Sequence, residues 1–356
     1  MFGQILSGDL PRSRTLTLLL IAIVAGLALT PFLFPGAKAI NVAAKICIFI
    51  VLVASYDLLL GYTGIVSFAH TMFFGIGAYG VAIALTRLGP SWAAVGAGVG
   101  ASLALSFVLS LVIGLFSLRV KALFYAMITL AVASAFQTLA SQLSEFTGGE
   151  DGLNFKVPEI LSHGYVLWQQ TILGVAVDGK LISYYLLFAV AVALFLLMLR
   201  IVNSPFGRVL QAIRENAFRA EALGYPTVVY RTWSNVLSAG FATLAGALLA
   251  LWLRYNGPDT SLSFEIMIDI LLMVVIGGMG TMYGAVAGAT LFIVAQNYLQ
   301  DLMKLASSAA AGVPLIPNLV HPDRWLLWLG ILFVVSVYRF PAGIVGKLRA
   351  RVRAKP

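Results

Sequence analysis

The 356-residue chain is 60% hydrophobic and only 10% charged, against roughly 45–50% and about 25% in soluble domains. So little charge excludes a soluble globular protein, and the mean hydropathy of +0.96 indicates a polytopic membrane protein. The net charge of +9 does not indicate nucleic-acid binding, because the basic residues gather at the ends of apolar runs, where they report topology. The single cysteine, Cys47, excludes a disulfide framework.

The chain opens with a charged segment and then an apolar stretch of about 20 residues, which is longer than a signal-peptide h-region. We expect this stretch to be retained as the first of ten spans, since crossing about 30 Å of hydrocarbon takes around 20 helical residues. The apolar runs cover residues 15–34, 40–60, 66–86, 92–117, 122–143, 181–200, 232–253, 264–277, 282–300 and 325–340. The sequence predicts an all-α polytopic membrane protein with about ten transmembrane or partly spanning helices, compatible with a five-plus-five inverted repeat.

The distribution of Lys and Arg predicts the orientation of these spans. With a cytoplasmic N-terminus, the inside segments hold many more basic than acidic residues, whereas the outside segments are balanced. The inside basic residues are Arg12, Arg14, Arg119, Lys121, Arg200, Arg208, Arg214, Arg219, Arg231, Arg339, Lys347, Arg349, Arg351, Arg353 and Lys355. The positive-inside rule therefore predicts that both termini are cytoplasmic, including a basic tail at 341–356. It also places residues 200–231 in the cytoplasm and residues 144–180 outside.

The two hydrophilic segments differ in kind. The outer one, 144–180, contains SEFTGGEDGLNFKVPEI, whose Gly, Pro and acidic residues are typical of turns. The inner one, 200–231, has apolar residues at three- and four-residue spacing, which predicts one amphipathic helix. This helix is expected to begin near Ser204-Pro205 and to stop at Gly224. Two interpretations stay open: the helix docks on a cytoplasmic partner, or it lies flat in the bilayer interface.

The stretch GYTGIVSFAHTMFFGIGAYG, residues 61–80, mixes five glycines with polar side chains. Small residues also recur at four-residue steps elsewhere, and such stripes predict close helix packing. They comprise Gly96 and Gly100; Ala242, Gly246 and Ala250; and Gly280, Gly284 and Gly288. In 61–80, a helix start within Gly61–Ser67 would leave free backbone N–H groups at membrane depth, as in transporters that bind carboxylates there. Thr63, Gly64 and Ser67 therefore either line a substrate pathway or serve packing alone.

Acidic residues within the apolar runs are costly and usually face the bundle interior or water. Asp57 could pair with a substrate ammonium or with Lys45; the alternative is a solvated residue at the cytoplasmic end of its span, or a cap on the next segment. We include Asp57 among the candidate pathway residues. Glu265 is expected at the outer interface, and Asp269, one turn further in, is the stronger functional candidate of the two.

Several blocks resemble the branched-chain amino-acid ABC transporter permease family. RAEALG, with Glu221, Ala222 and Gly224, resembles the coupling loop of ABC importer permeases, and 61–80 resembles the first signature of the branched-chain family. Further matching blocks are SPFGRVLQAIREN, SAGFATLAGAL (238–248), TGGEDGL (147–153), VIGGMGTMYGAVAGA (275–289) and RFPAGIVG (339–346). The TGG-DG loop favours the M-type subunit, and the resemblance covers about 45–350. One departure is Tyr56-Asp57, where the family usually has Leu-Asn.

The resemblance implies a single permease domain, residues 1–356, in the bacterial inner membrane. It implies a heterodimeric pore with an H-type second permease subunit, two cytoplasmic ATPase subunits and a periplasmic substrate-binding protein. The implied cargo is branched-chain amino acids, with urea, short amides or other amino acids as the alternative. The chain would touch membrane lipid but no nucleic acid. The residues implied in ATPase coupling are Arg214, Glu215, Glu221, Ala222 and Gly224.

The resemblance also implies that this chain is not an enzyme and binds no cofactor, since ATP and Mg belong to the ATPase subunits. The sequence agrees, because it contains no GxxxxGK[ST] phosphate loop. A membrane-embedded enzyme would need clustered catalytic groups, yet the three histidines lie far apart in sequence: His70, His163 and His321. An ion-coupled secondary transporter remains a rival, but it would not need the segment 200–231.

Overall fold

The computed structural model describes residues 14–34, 36–117, 122–162, 164–172, 175–309, 321–339 and 343–353. Eight helices in this part of the chain are long and apolar enough to cross a membrane. The protein is therefore a multi-pass, helical membrane protein, while ten spans and cytoplasmic termini stay predictions. Arg12, Arg119, Lys121 and Lys355, used above for orientation, lie outside the described residues, as does His163.

The long helices match the predicted apolar runs in number and order, although α10 begins five residues before its predicted run and α13 ends nine residues after its predicted run. They are α1 (Arg14–Leu33), α2 (Ala37–Thr63), α3 (His70–Leu88), α4 (Trp92–Ser117), α5 (Ala122–Gln142), α7 (Gly179–Asn203), α10 (Thr227–Leu253), α12 (Phe264–Gly277), α13 (Met282–Ala309) and α14 (Trp325–Arg339). The shorter helices are α6 (Ser144–Thr147), α8 (Pro205–Glu215), α9 (Ala217–Ala222), α11 (Pro258–Ser261) and α15 (Gly343–Arg353).

The outer segment contains strands as well as the predicted turns. β1 (Leu153–Asn154) pairs antiparallel with β4 (Tyr255–Asn256), which follows α10. β2 (Val166–Ile172) pairs antiparallel with β3 (Val175–Asp178) through an irregular register. Such strands differ from the all-α prediction, because pairs this short or irregular leave little alternating pattern in a sequence.

Helix α2 is the centre of the molecule. It is apolar on nearly every face and is buried along almost its whole length, as expected of a helix without a polar side. It packs against α7, α10, α12 and α13, and α10 in turn packs against α3 and α4. By contrast, most of α1, α5 and α7 is not buried within the chain, which leaves apolar surface for lipid or for another subunit.

Glycines allow the closest helix contacts. A methyl group at Gly246 of α10 would lie 1.8 Å from the Phe74 carbonyl oxygen, and one at Gly77 of α3 would lie 1.8 Å from that of Thr243. These distances confirm the packing prediction for the stripe around Gly246, and Gly284 and Gly288 likewise meet the backbone of α12 or of its C-terminal end. Gly96 and Gly100 have nothing of the described chain within 4 Å of an added methyl, so the packing predicted for them is not found within this chain.

The C-terminal helix α15 packs against α12 and α13. Its first residue, Gly343, approaches the turn after α12 so closely that a methyl group there would lie 2.2 Å from the Gly278 Cα, and Val345 is fully buried. The described part of the predicted basic tail 341–356 is thus a packed helix, and its other residues lie outside the described chain. This packing brings α15 to the turn that also contacts the end of α2.

Candidate functional site

The inner hydrophilic segment forms two helices, so the single helix predicted from Ser204 to Gly224 is wrong. The start is as expected, with the Ser204 side chain accepting a hydrogen bond from the Gly207 N–H and Pro205 at the first helical position. The chain leaves the helical conformation at Asn216 (φ −158°, ψ 98°), whose side chain accepts from the Arg219 N–H at 3.0 Å. Because Asn is a strong N-cap, it starts α9 instead of continuing α8.

The apolar face of α8 packs on the protein itself. Leu210 and Ile213 are 0% and 1% exposed, and α8 contacts α2, α7 and α10. This contradicts the interpretation in which that face lies flat in the bilayer interface. The next helix, α9, instead exposes its apolar residues, with Phe218 81% and Leu223 78% exposed.

The end of α9 has the turn that its glycine predicts. Gly224 has φ +92° and its N–H donates to the Glu221 carbonyl oxygen at 2.8 Å, which confirms the expected positive φ. The Glu221 carboxylate accepts a hydrogen bond from the Thr227 hydroxyl. This hydrogen bond ties α9 to the first turn of α10. Glu221 is nevertheless exposed, as are Glu215 and Ala222.

The predicted helix start within Gly61–Ser67 is wrong, because α2 continues to Thr63 and α3 begins at His70. Gly64 ends α2 in the left-handed conformation (φ +74°), with its N–H bonded to the Leu60 carbonyl oxygen at 3.1 Å. The Thr63 hydroxyl donates to the backbone of its own helix. In the connection, buried Ser67 accepts from the Ala69 N–H at 3.3 Å.

Asp57 is the centre of a polar contact at this end of α2. It is 1% exposed, so the interpretation as a solvated residue is wrong. Its Oδ1 accepts from the Gly280 N–H at 2.8 Å, whereas Oδ2 has no hydrogen-bond partner among the described residues. One turn later, the Gly61 carbonyl oxygen accepts a hydrogen bond from the Arg214 guanidinium of α8. The Gly61 backbone also lies against the Asp57 carboxylate, since a methyl group at Gly61 would be 2.0 Å from Oδ1.

We name this group the α2 clasp and define it as Asp57, Gly61, Arg214 and Gly280. Both glycines are required for steric reasons. A methyl group at Gly61 would lie 2.4 Å from the Gly280 nitrogen, and one at Gly280 would lie 2.6 Å from the Arg214 guanidinium. The clasp joins a predicted pathway residue, Asp57, to a predicted coupling residue, Arg214. Sequence reasoning did not reveal this contact.

A polar cavity of about 830 Å³ lies near the opposite end of α2. Lys45 of α2 donates to the Gln296 Oε1 of α13 at 3.1 Å, and the Gln296 Nε2 donates to the Asp269 Oδ2 of α12 at 3.4 Å. Lys45 therefore bonds to Gln296, and the pairing of Lys45 with Asp57 that the sequence offered as one possibility does not form. The charged and amide residues of the lining are Lys38, Asn41, Lys45, Lys180, Arg254, Asp259, Glu265, Asp269, Gln296 and Asn297.

The predicted pathway residues Asp57, Thr63, Gly64 and Ser67 are not among the described residues that line this cavity. Of the residues that do, sequence reasoning singled out Asp269 and missed Gln296. The signal for Gln296 was weaker, since it lies inside the apolar run 282–300, where a Gln side chain can hydrogen-bond across helices.

Comparison with known proteins identifies the family. Residues 38–337 match the family described as the permease component of the branched-chain amino acid transport system. The chain belongs to this family. It is therefore a transport permease, the membrane subunit of an ABC importer, and not an enzyme.

The chain is similar to several named permeases. It is 24% identical over 323 residues to the high-affinity branched-chain amino acid transport system permease protein LivM of Salmonella typhimurium, covering 87% of this chain and 74% of the relative. LivM of Escherichia coli matches with the same identity and coverage. BraD of Pseudomonas aeruginosa is 25% identical over 305 residues, covering 82% of this chain and 89% of the relative. No solved structure matches the chain at a significant level.

Proposed function

We propose that this permease passes branched-chain amino acids into the cytoplasm of a bacterium, across the inner membrane. The energy comes from ATP hydrolysis on two cytoplasmic ATPase subunits, which hold the ATP and Mg. A second permease subunit of the H-type completes the pore, and a periplasmic binding protein delivers the substrate. The relatives named for branched-chain amino acid transport support this cargo.

We propose a ten-span topology with both termini and the segment 200–231 in the cytoplasm, and 144–180 in the periplasm. The eight helices that are long and apolar enough to cross a membrane support most of these spans, and the charge distribution supports their orientation. In it, the α2 clasp lies at the cytoplasmic side and the polar cavity at the periplasmic side. Two halves of five spans each would satisfy the inverted repeat expected for such transporters.

Helix α2 carries the argument for coupling, because it joins the two polar sites. Its 27 residues extend over about 40 Å, with Lys45 facing the cavity and Gly61 held by Arg214 of α8. A cation that donates to a carbonyl oxygen makes a stronger hydrogen bond than a neutral donor. An ATPase that moves α8 and α9 would therefore pull on the end of α2 and on the turn at Gly280.

The exposed tip of α9 is the surface that we assign to the ATPase. Phe218 and Leu223 are both exposed apolar residues, and aromatic residues such as Phe218 are enriched in the cores of interfaces. The predicted coupling residues lie close by in the chain: Glu215 ends α8, Glu221 and Ala222 end α9, and Gly224 follows in the turn. Motion received at this tip would pass through α8 to the clasp.

The coupling proposal is tested by replacing Arg214 in the assembled importer. Arg214→Met removes the clasp contact and should abolish most ATP-driven uptake, while the ATPase subunits still copurify. The matched control is Arg208→Met. Both arginines are exposed on α8, but the contact with Gly61 belongs to Arg214, so Arg208→Met should transport normally. Equal uptake by the two variants would contradict the role of the clasp, and failure of ATPase subunits to copurify with the unmodified chain would contradict the importer assembly.

The cargo is tested on the cognate binding protein. A thermal-shift screen should show stabilisation by leucine, isoleucine or valine, since a ligand that binds only the folded state raises its stability. Stabilisation by urea or a short amide alone would assign the importer to that alternative cargo and overturn the proposed one.

A further inference from the structure

The polar cavity contains a line of three hydrogen-bonded side chains, and none of them is among the pathway residues predicted from the sequence. Lys45, Gln296 and Asp269 come from α2, α13 and α12, and the Gln296 amide lies between the cation and the acid. All three are half-buried. Lys45 lies about two turns into α2 and Asp269 more than one turn into α12, so both charges lie within membrane-spanning helices. Ionisable residues at such positions mark functional sites in membrane proteins.

The orientation of the Gln296 amide is dictated by its neighbours. Lysine can only donate hydrogen bonds and an ionised carboxylate can only accept them, so Oε1 faces Lys45 and Nε2 faces Asp269. The amide thus presents an acceptor to the cation and a donor to the acid. An α-amino acid zwitterion presents the same two features next to each other, as a carboxylate and an ammonium, and each with a full charge.

We propose that Lys45 and Asp269 bind the carboxylate and the ammonium of an α-amino acid, which displaces the Gln296 amide from between them. This inference rests on the proposed function, because it assigns a binding site to the cargo. The hydrogen bonds of Lys45 and Asp269 to the Gln296 amide each have one charged partner, whereas those to a zwitterion have two, so Coulomb attraction between unit charges adds to each bond. The zwitterion therefore gains more from the two charged groups than the amide that it replaces.

The rest of the cavity fits this ligand. Its lining carries four cationic and three acidic residues, so the site is nearly balanced in charge and favours a zwitterion over an anion or a cation. The volume of about 830 Å³ lies within the roughly 300–1,000 Å³ of small-molecule sites. An apolar part of the lining can take an aliphatic side chain and includes Val42, Ile48, Phe49, Leu249, Trp252 and Ile266.

Two exposed charged residues that do not line the cavity supply matched controls, namely Lys156 and Glu159 of the outer segment 144–180. Neither belongs to the line through Gln296 or to the charge balance of the lining. Glu159→Gln and Lys156→Gln should therefore leave binding unchanged.

The test measures binding of radiolabelled leucine to the purified permease–ATPase complex without the binding protein. Two analogues compete: leucinol, which lacks the carboxylate, and 4-methylpentanoate, which lacks the ammonium. The unmodified complex should prefer leucine over each analogue by about ten-fold or more, the usual effect of losing a hydrogen bond to a charged group. Asp269→Asn should lose the preference over 4-methylpentanoate, and Lys45→Gln the preference over leucinol.

This pairing of each variant with one analogue separates ligand binding from a structural role, since a merely destabilised protein would lose both preferences together. Any of four results would overturn the site: this joint loss of both preferences, wild-type binding by both variants, no binding of leucine, or equal competition by urea. If the importer still transports leucine in that case, the proposed function stands without this site. If the unmodified importer transports no amino acid, the proposed function itself fails.

Discussion

Gly246 is one of two glycines at the closest contacts between helices α10 and α3, and its replacement tests that packing. Gly246→Ala would bring a methyl group within 1.8 Å of the Phe74 carbonyl oxygen, which forces the two helices apart. We expect a loss of about 1–3 kcal/mol, as for other overpacked sites, seen as a lower thermal unfolding midpoint of the purified chain. Gly96→Ala is the control, because that methyl would meet nothing of the described chain within 4 Å. Equal midpoints for the two variants would contradict the packing.

Gly224 tests the turn after α9 by conformation alone. A methyl there would meet no described atom within 4 Å, but φ is +92°, a region that costs a β-branched residue about 1–2 kcal/mol or more. We expect Gly224→Val to abolish most uptake by misdirecting α9 and to weaken ATPase association, with normal membrane insertion. Gly224→Asn should keep more activity, since Asn tolerates positive φ. Better uptake with Val than with Asn would show that the conformation is not what matters.

The junction of α9 and α10 carries a prediction at the scale of elements. Glu221→Lys removes the acceptor of the Thr227 hydroxyl and reverses an exposed charge. Thr227→Val removes only the internal hydrogen bond, at nearly the same side-chain shape. If Glu221 also contacts an ATPase subunit, Glu221→Lys should release that subunit during purification and Thr227→Val should retain it. Identical behaviour of the two variants would limit Glu221 to holding the junction together.

The elements show how far sequence patterns reach in this protein. The long helices were predictable because an apolar run of about 20 residues has few other structures available in a membrane. The positive φ at Gly224 and the start of α8 at Pro205 were predictable from local rules. The break at Asn216 was not, since the apolar spacing continues across it and only the side-chain cap decides for two helices. The C-terminal end of α2 was likewise misplaced by several residues.

At the scale of the whole molecule, orientation is tested by cysteine labelling from outside intact cells in a Cys47→Ser background. Glu150→Cys should be labelled and Gln211→Cys should not. Both positions are exposed, whereas the neighbouring Gly149 is buried and has φ +64°, which makes it a poor labelling site. Labelling of Gln211→Cys, with no labelling of Glu150→Cys, would invert the proposed topology and remove the segment 200–231 from contact with cytoplasmic ATPases.

The two polar sites depend on contacts that no local pattern contains. Asp57 and Gly280 are 223 positions apart, and Lys45 and Gln296 are 251 apart. The sequence marks Asp57 and Asp269 as costly charges in a membrane, but their partners follow only from how α2, α12 and α13 pack. For the same reason the sequence does not show that Arg214, assigned to an ATPase contact by resemblance, also donates to the backbone of α2 while it stays exposed on α8.

Energy coupling is the central claim, and uptake into proteoliposomes tests it most directly. The complete importer, with both permease subunits and the ATPases, is reconstituted with loaded binding protein at the periplasmic face and ATP at the cytoplasmic face. We predict that radiolabelled leucine accumulates only with hydrolysable ATP, that an imposed proton or sodium gradient has no effect, and that Arg214→Met removes the accumulation. Accumulation that follows the ion gradient and ignores ATP would contradict the account and identify a secondary transporter.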